Sequence, residues 1–171
     1  MTNKLKRAWS LTLAFSLSAS ASAALLPLTN AGFEDPVLGE GLQNGGGYAV
    51  PGWVEFDEQH AWAFDIFNPD VGTIVGEAHS GQNVLMSMAY RPVTQYVEQQ
   101  LAATLQLNTR YTLSAWVADP DAKSPLNNVQ LMLYAGTSLL GSVTVQPAAP
   151  DVWTNGSLVL DTGARDRKSV V

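Results

Sequence analysis

The stretch Tyr111-Thr112-Leu113-Ser114-Ala115-Trp116-Val117-Ala118 most limits what this chain can become. Tyr111, Leu113, Ala115 and Val117 fall on one face of an extended strand, and Thr112, Ser114 and Trp116 fall on the other. A period of two belongs to a half-buried strand and cannot be wrapped into a helix with one apolar side. The same alternation recurs in Trp53 to Asp57, Asn83 to Met88, Tyr96 to Leu101 and Val129 to Tyr134. Leu139 to Val145 and Trp153 to Leu160 supply two further strands, and Ala61 to Phe67 is an aromatic-rich run closed by Asn68-Pro69-Asp70. Beyond the first two dozen residues, only Gln99 to Leu107 offers even a weak helical period. Seven or eight short strands with turn signals between them predict an all-β, antiparallel sandwich of the jelly-roll kind.

Before the first strand stands Asn30-Ala31-Gly32-Phe33-Glu34-Asp35-Pro36, answered by Pro51-Gly52-Trp53. Asn30 and Gly32 suit backbone conformations that bulkier residues resist. Phe33 is an apolar anchor for a core, with Glu34 left near the surface. Pro36 ends any ladder, and Pro51-Gly52 is a turn that delivers Trp53 to a strand. Gly39 to Gly47 reads as a loop. Trp53 and Trp153 are assigned to the core.

The ends of the chain have a different character. Lys4, Lys6 and Arg7 precede an apolar run, Ala8 to Leu17, that is too short to span a membrane, and Ala21-Ser22-Ala23 matches a small-residue cleavage site. Residues 1–23 therefore read as a signal peptide, 24–164 as one domain and 165–171 as a basic tail with the look of a truncated terminus. The expected address is secreted, extracellular or cell-surface. All 15 acidic residues but only 6 of the 9 basic ones follow residue 23, so the mature chain carries 6 − 15 = −9. An acidic domain without a basic stripe excludes nucleic acid and anionic membranes as natural partners. With no cysteine, neither disulfides nor thiolate metal sites are available.

Taken in order, Asn-x-Gly-Phe-Glu-x-Pro, Pro-Gly-Trp, Ser80-Gly81-Gln82-Asn83-Val84-Leu85, Gln99-x-Leu101 and Tyr111-x-Leu113-x-Ala115 resemble exported galactose-binding-like jelly-roll domains. Two groups share that layout: carbohydrate-binding modules of bacterial polysaccharidases, and surface proteins sorted by an exosortase through a C-terminal Pro-Glu-Pro (PEP-CTERM) anchor. The tract from Asn68-Pro69 to Val84 is most similar to the second. The closing strand and the anchor of those families have no counterpart here.

The resemblance implies a structural calcium held by Glu34 and the Gly32 carbonyl, with Ser80 and Asn83 at the turn before a strand. Calcium takes ~6 to 8 oxygen ligands, and the aspartate that the closing strand would contribute is missing. It also implies a sugar platform. If Leu113 and Leu131 point inward, Trp116, Gln130 and Tyr134 share the outer face, with Trp62, Tyr90 and Tyr96 as loop or edge candidates. The alternative for each aromatic is ordinary core packing.

Catalysis finds little support in the sequence. Asp57 and Glu58 with His60, or Asp65 with Asp70, can be drawn as acid/base pairs, but adjacent acids in an acidic chain are usually solvated. His60 and His79 lack metal-ligand spacing, and no nucleophile elbow or phosphate loop is present. No catalytic residue is assigned. The sequence is read as a non-catalytic domain that attaches to or organises extracellular polysaccharide or another glycan. A structural surface or matrix protein and a jelly-roll glycan-acting enzyme are the alternatives.

Overall fold

The computed structural model describes residues 22–23, 26–45, 49–58, 64–70, 77–87, 94–119 and 128–163. Nine strands are defined among them and no helix. They are β1 (Ser22–Ala23), β2 (Val54–Asp57), β3 (Phe64–Phe67), β4 (Val84–Ser87), β5 (Gln95–Glu98), β6 (Thr109–Val117), β7 (Val129–Ala135), β8 (Ser138–Val145) and β9 (Thr154–Asp161). The chain is an all-β protein whose strands pair antiparallel: β2 with β5, β3 with β4, β6 with β9 and β7 with β8. The short β1 is the exception, lying parallel to β6 at Thr109 and Arg110.

β6 follows its sequence pattern. Tyr111 is buried and Leu113, Ala115 and Val117 are half-buried, while Arg110, Thr112, Ser114 and Trp116 are exposed. The strand begins at Thr109 because Asn108, at φ 50°, completes the turn before it. The β7–β8 hairpin closes through Gly136-Thr137, and Gly136 supplies the positive φ (58°) that a two-residue hairpin asks of its first position. This hairpin lies against β9, where Gly141 faces Leu158 and Gly156 faces Val145.

Two apolar clusters form the core. Val50, Phe64 and Ile66 gather Phe33, Leu38, Trp53, Leu85 and Val97. Leu105 and Tyr111 gather Leu26, Leu101, Leu133, Leu140 and Leu160. Trp53 therefore takes its expected core place, its ring 5.5 Å from that of Phe33. Trp153 does not: it is half-buried at the surface and belongs to neither cluster.

The opening motif works as a knot centred on Asn30. This residue has φ 48°, and its Nδ2 donates to the carbonyls of Asp35 and Pro51. Its Oδ1 accepts from Asp35 N, and its carbonyl accepts from Trp53 Nε1. Gln99 ends β5 earlier than the alternation suggests. Its side-chain amide bonds both backbone groups of Thr29 and the carbonyl of Gly52, so the residue stitches the opening loop instead of extending the strand. Residues 99–107 are not helical; their apolar members Leu101 and Leu105 serve the second core cluster.

A strap of residues 41–45 lies along the free edge of β3. Gly41 N donates to the Asn68 carbonyl, Asn68 N to the Leu42 carbonyl and Asn44 N to the Ile66 carbonyl. With β4 on its other edge, β3 is buried at all four positions. The leader assigned to 1–23 falls outside the described residues except for Ser22 and Ala23, and the tail at 165–171 lies wholly outside them. No described helix is long and apolar enough to cross a membrane.

Candidate functional site

The residues expected to hold calcium are partly assembled. Both oxygens of the Glu34 carboxylate accept from Gln82 N, at 3.1 and 3.2 Å, and Oε1 also accepts from Asn83 N at 3.2 Å. Asn83 is 4% exposed, and its Nδ2 donates to the carbonyls of Phe33 and Pro36. Its Oδ1 is buried without a partner among the described residues. Gly32 belongs to the same turn as Glu34, and Ser80 to the loop 77–83 that Glu34 grips. The donor set is of the hard-oxygen kind that suits calcium: one carboxylate and one free amide oxygen, which backbone carbonyls and water would have to complete. Among the described residues no group of three or more acids and histidines surrounds such a point.

The expected platform does not come together. Trp116, Gln130 and Tyr134 each find a different neighbour: His79, Thr144 and Met132. The physical reason is that β7 pairs with β8 rather than β6; the bulge puts its extra residue, Leu140, in β8, so Met132 and Tyr134 keep one face of β7 while Trp116 stands apart on β6. Trp62 and Tyr90 lie outside the described residues, as does His60. Tyr96 stacks on Phe56 across β2 and β5, 4.8 Å between centroids.

What the fold does assemble is a corner of three aromatic residues. Trp116 points outward from the end of β6 and is 47% exposed. His79, from loop 77–83, lies flat against it at 3.9 Å with planes 16° apart. Trp153, from the turn before β9, meets the same imidazole edge-on at 6.0 Å and 70°. Its Nε1 donates to the Glu77 carbonyl, 3.2 Å, and so fixes the loop that carries His79. Neither ring nitrogen of His79 has a hydrogen-bond partner among the described residues. An imidazole held by a stack on one face can take or give a proton to a molecule lying beside it. The loop that carries His79 also contributes Glu77, Ala78, Gly81 and Gln82 to an open groove, whose other lining residues include Leu38, Glu40 and Asn68.

Sequence reasoning passed over this corner because its members are 37 residues apart at the least, with no spacing rule to join them. It also paired Asp65 with Asp70, yet Asp65 is a buried member of β3 and Asp70 lies beyond its end, with its carboxyl near Gly41. The readable signal for Asp65 was an acid inside an unbroken aromatic run, Phe64-Asp65-Ile66-Phe67: a strand buried on both faces must bury its acid too.

Comparison with known proteins changes the functional reading. The model of the HpiC1-like family, described as HpiC1 cyclase, matches residues 24–169. A solved structure of a cyclase from Fischerella sp. TAU superposes with a TM-score of 0.67 at 19% identity, over 87% of this chain and 85% of that one. This likeness shows a shared β-sandwich of the jelly-roll type. No curated protein sequence matches. The family match overturns the resemblance to carbohydrate-binding modules and exosortase-sorted (PEP-CTERM) surface proteins. The non-catalytic role and the polysaccharide partner, which rested on that resemblance, are withdrawn with it. The shared motifs describe how a jelly roll is tied at its opening, and folds of one kind carry unrelated sites. By this match over most of its length, the chain belongs to the HpiC1-like family.

Proposed function

We propose that this chain is a ring-closing enzyme acting on a small unsaturated molecule at the Trp116–His79–Trp153 corner. Family membership over residues 24–169 supports the class of reaction, and the carrying observation is the imidazole stacked on one indole and met edge-on by a second, with no hydrogen bond to its nitrogens among the described residues. A proton added to one π bond leaves an electron-poor carbon. A second π bond of the same molecule attacks that carbon, closing the ring, and the charge is discharged by loss of a proton. His79 supplies the first proton and takes back the last, so the product is an isomer and no electrons leave the substrate. The exposed indole face of Trp116 favours the positive charge that develops between those steps.

Two further parts of the reading concern the scaffold. A structural calcium at Glu34 and Asn83, with the Gly32 carbonyl and Ser80 nearby, is supported by Asn83 Oδ1, which is buried without a partner among the described residues. Export with removal of residues 1–23 is supported by the leader pattern alone.

The test is to incubate purified protein with fractionated small-molecule extract of the producing cells and follow masses and retention times. The expected result is loss of one compound and appearance of an isomer of the same mass with one fewer double bond. His79→Ala should lose this conversion while keeping its unfolding midpoint. Conversion at the wild-type rate in His79→Ala would remove the site, and no conversion in any fraction would remove the activity.

A further inference from the structure

Loop 77–83 is held at both ends by groups from outside it, and His79 lies between the two ties. At the start of the loop the Glu77 carbonyl accepts from Trp153 Nε1 at 3.2 Å. At its end the Glu34 carboxylate takes the amides of Gln82 and Asn83. The two ties govern different things. Glu34 grips the chain beyond Gly81, whose φ of 72° turns the backbone between that grip and His79. Trp153 grips it two residues before His79 and also meets the imidazole itself, edge-on at 6.0 Å and 70°. One side chain thus bears on both the backbone that carries His79 and the ring.

The apolar core does not account for Trp153. Its ring is half-buried and belongs to neither cluster, so much of the stabilisation that an indole yields on burial is forgone. What its position does secure is a fixed relation to Trp116. Asn155, two residues on, is the residue of β9 that pairs with Trp116 on β6. The turn that leads to Trp153 is bound to the chain just past the end of β6, where Asp151 N donates to the Asp119 carbonyl at 2.8 Å. Trp116 and Trp153 are therefore placed by one paired unit of backbone. His79 comes to them on a loop that shares no ladder with either, and the Trp153 N–H is the bond that joins the two parts.

We propose that Trp153 is the positioning residue of the site, holding His79 in register with Trp116 through the Nε1–Glu77 bond and the edge contact. The role rests on the reading of His79 as the proton-transfer group, and Trp153 acts through that ring. Its loss should appear in turnover rather than in binding. A proton-transfer group displaced by about 1 Å can lose about a hundredfold in rate, while the Trp116 face remains where it was.

Proton magnetic resonance of the full chain tests the placement apart from the chemistry. The ring protons of His79, lying over the indole of Trp116, should resonate upfield of an ordinary histidine, and His79→Phe identifies them by their disappearance. Spectra are taken at one alkaline pH, where imidazoles are neutral. In Trp153→Phe, which keeps a ring and lacks the donor, the upfield shift should shrink toward the ordinary value with the protein still folded. Turnover should fall about tenfold to a hundredfold with KM near the wild-type value. Trp153→Leu, equally without a donor, serves if the first variant fails to fold. An unchanged His79 resonance in these variants would overturn the role, as would a shift lost with turnover kept, or a raised KM at constant kcat. A larger loss of the shift in Glu34→Gln than in Trp153→Phe would overturn it too, giving the placement of His79 to Glu34. A wild type that converts nothing would remove the ring-closing reading, and the His79 resonance alone would then decide whether Trp153 positions that ring.

Discussion

His79 lies flat on Trp116, ring centroids 3.9 Å apart and planes within 16° of parallel, although the two are carried by a loop and a strand that share no hydrogen-bonded ladder. The stack fixes the imidazole without using either of its nitrogens. Replacing His79 by Ala should therefore change two readouts together. Trp116 becomes wetter, and tryptophan emission shifts to the red. Turnover falls by about 10²-fold or more, the usual loss when a positioned proton-transfer group is removed. His79→Phe separates the two effects: it keeps the stack and the emission, and it loses the turnover. Full activity in His79→Phe would leave His79 a packing residue.

Glu34 should prove to be a stability residue whether or not an ion joins it. Its carboxylate gathers the amides of Gln82 and Asn83, and bonds to charged groups contribute about 1.5–3 kcal/mol where they are shielded from water. Glu34→Gln should lower the urea midpoint with the slope unchanged. Gly81→Ala should cost at least as much. Gly81 has φ 72°, and an added Cβ would run into the Glu34 carboxylate. A Gly81→Ala protein of wild-type stability would mean that Glu34 does not hold this loop in solution.

Calcium, if it joins that corner, reports itself in the same melts. A folded-state site adds RT ln(1 + [L]/Kd), about 2.7 kcal/mol at a hundredfold excess over Kd. The unfolding midpoint should rise with calcium and fall with a chelator in the wild type, and respond to neither in Asn83→Leu. A wild-type midpoint indifferent to both would end the calcium proposal and leave the Glu34 grip as the whole of the joint.

The β8–β9 contact should be intolerant of added volume. A Cβ on Gly156 would collide with the Val145 side chain, so Gly156→Ala should destabilise by about 1–3 kcal/mol, the usual cost of overpacking. Gly136→Ala makes a useful contrast, because the space around it is open and only its φ of 58° resists a side chain. Pairing Gly156→Ala with Val145→Ala should recover part of the loss, and a double mutant no better than the single would place the strain elsewhere.

Two acids should behave oppositely as pH is lowered. Asp161 sits with Arg110, whose side-chain hydrogen bond holds its carboxyl below the usual aspartate range. Stability from that pair is present above the unfolded aspartate pKa and lost as pH falls through the folded one. Both partners are well exposed, so Asp161→Asn should leave the midpoint at neutral pH within error. Asp65→Asn should raise it at neutral pH, where the buried wild-type carboxyl is costly, and converge on wild type in acid. Midpoints that diverge toward acid would reverse the assignment of Asp65 as the neutral partner.

The class of fold and much of its wiring follow from residue pattern. The two-residue alternation of Tyr111 to Val117 allows one burial pattern, and the structure has it. Asn30 adopts positive φ and Trp53 meets Phe33 in the core, because backbone conformation and large apolar area are written in residue type, although the second left-handed position of the opening motif falls on Phe33 (φ 59°) and not on Gly32. The pairing of strands was not so written. The notion that Trp116, Gln130 and Tyr134 shared a face assumed that β6 neighbours β7, and alternation specifies a face without naming a partner. Tertiary structure alone decided that Trp116 meets His79 and Trp153, residues joined by no local rule. It likewise decided that β3, with Asp65 in it, runs between β4 and a strap that sequence could describe only as a loop. A strand's pattern is set by its own side chains and the pleat; what lies against it is set by the packing of segments far apart in the chain.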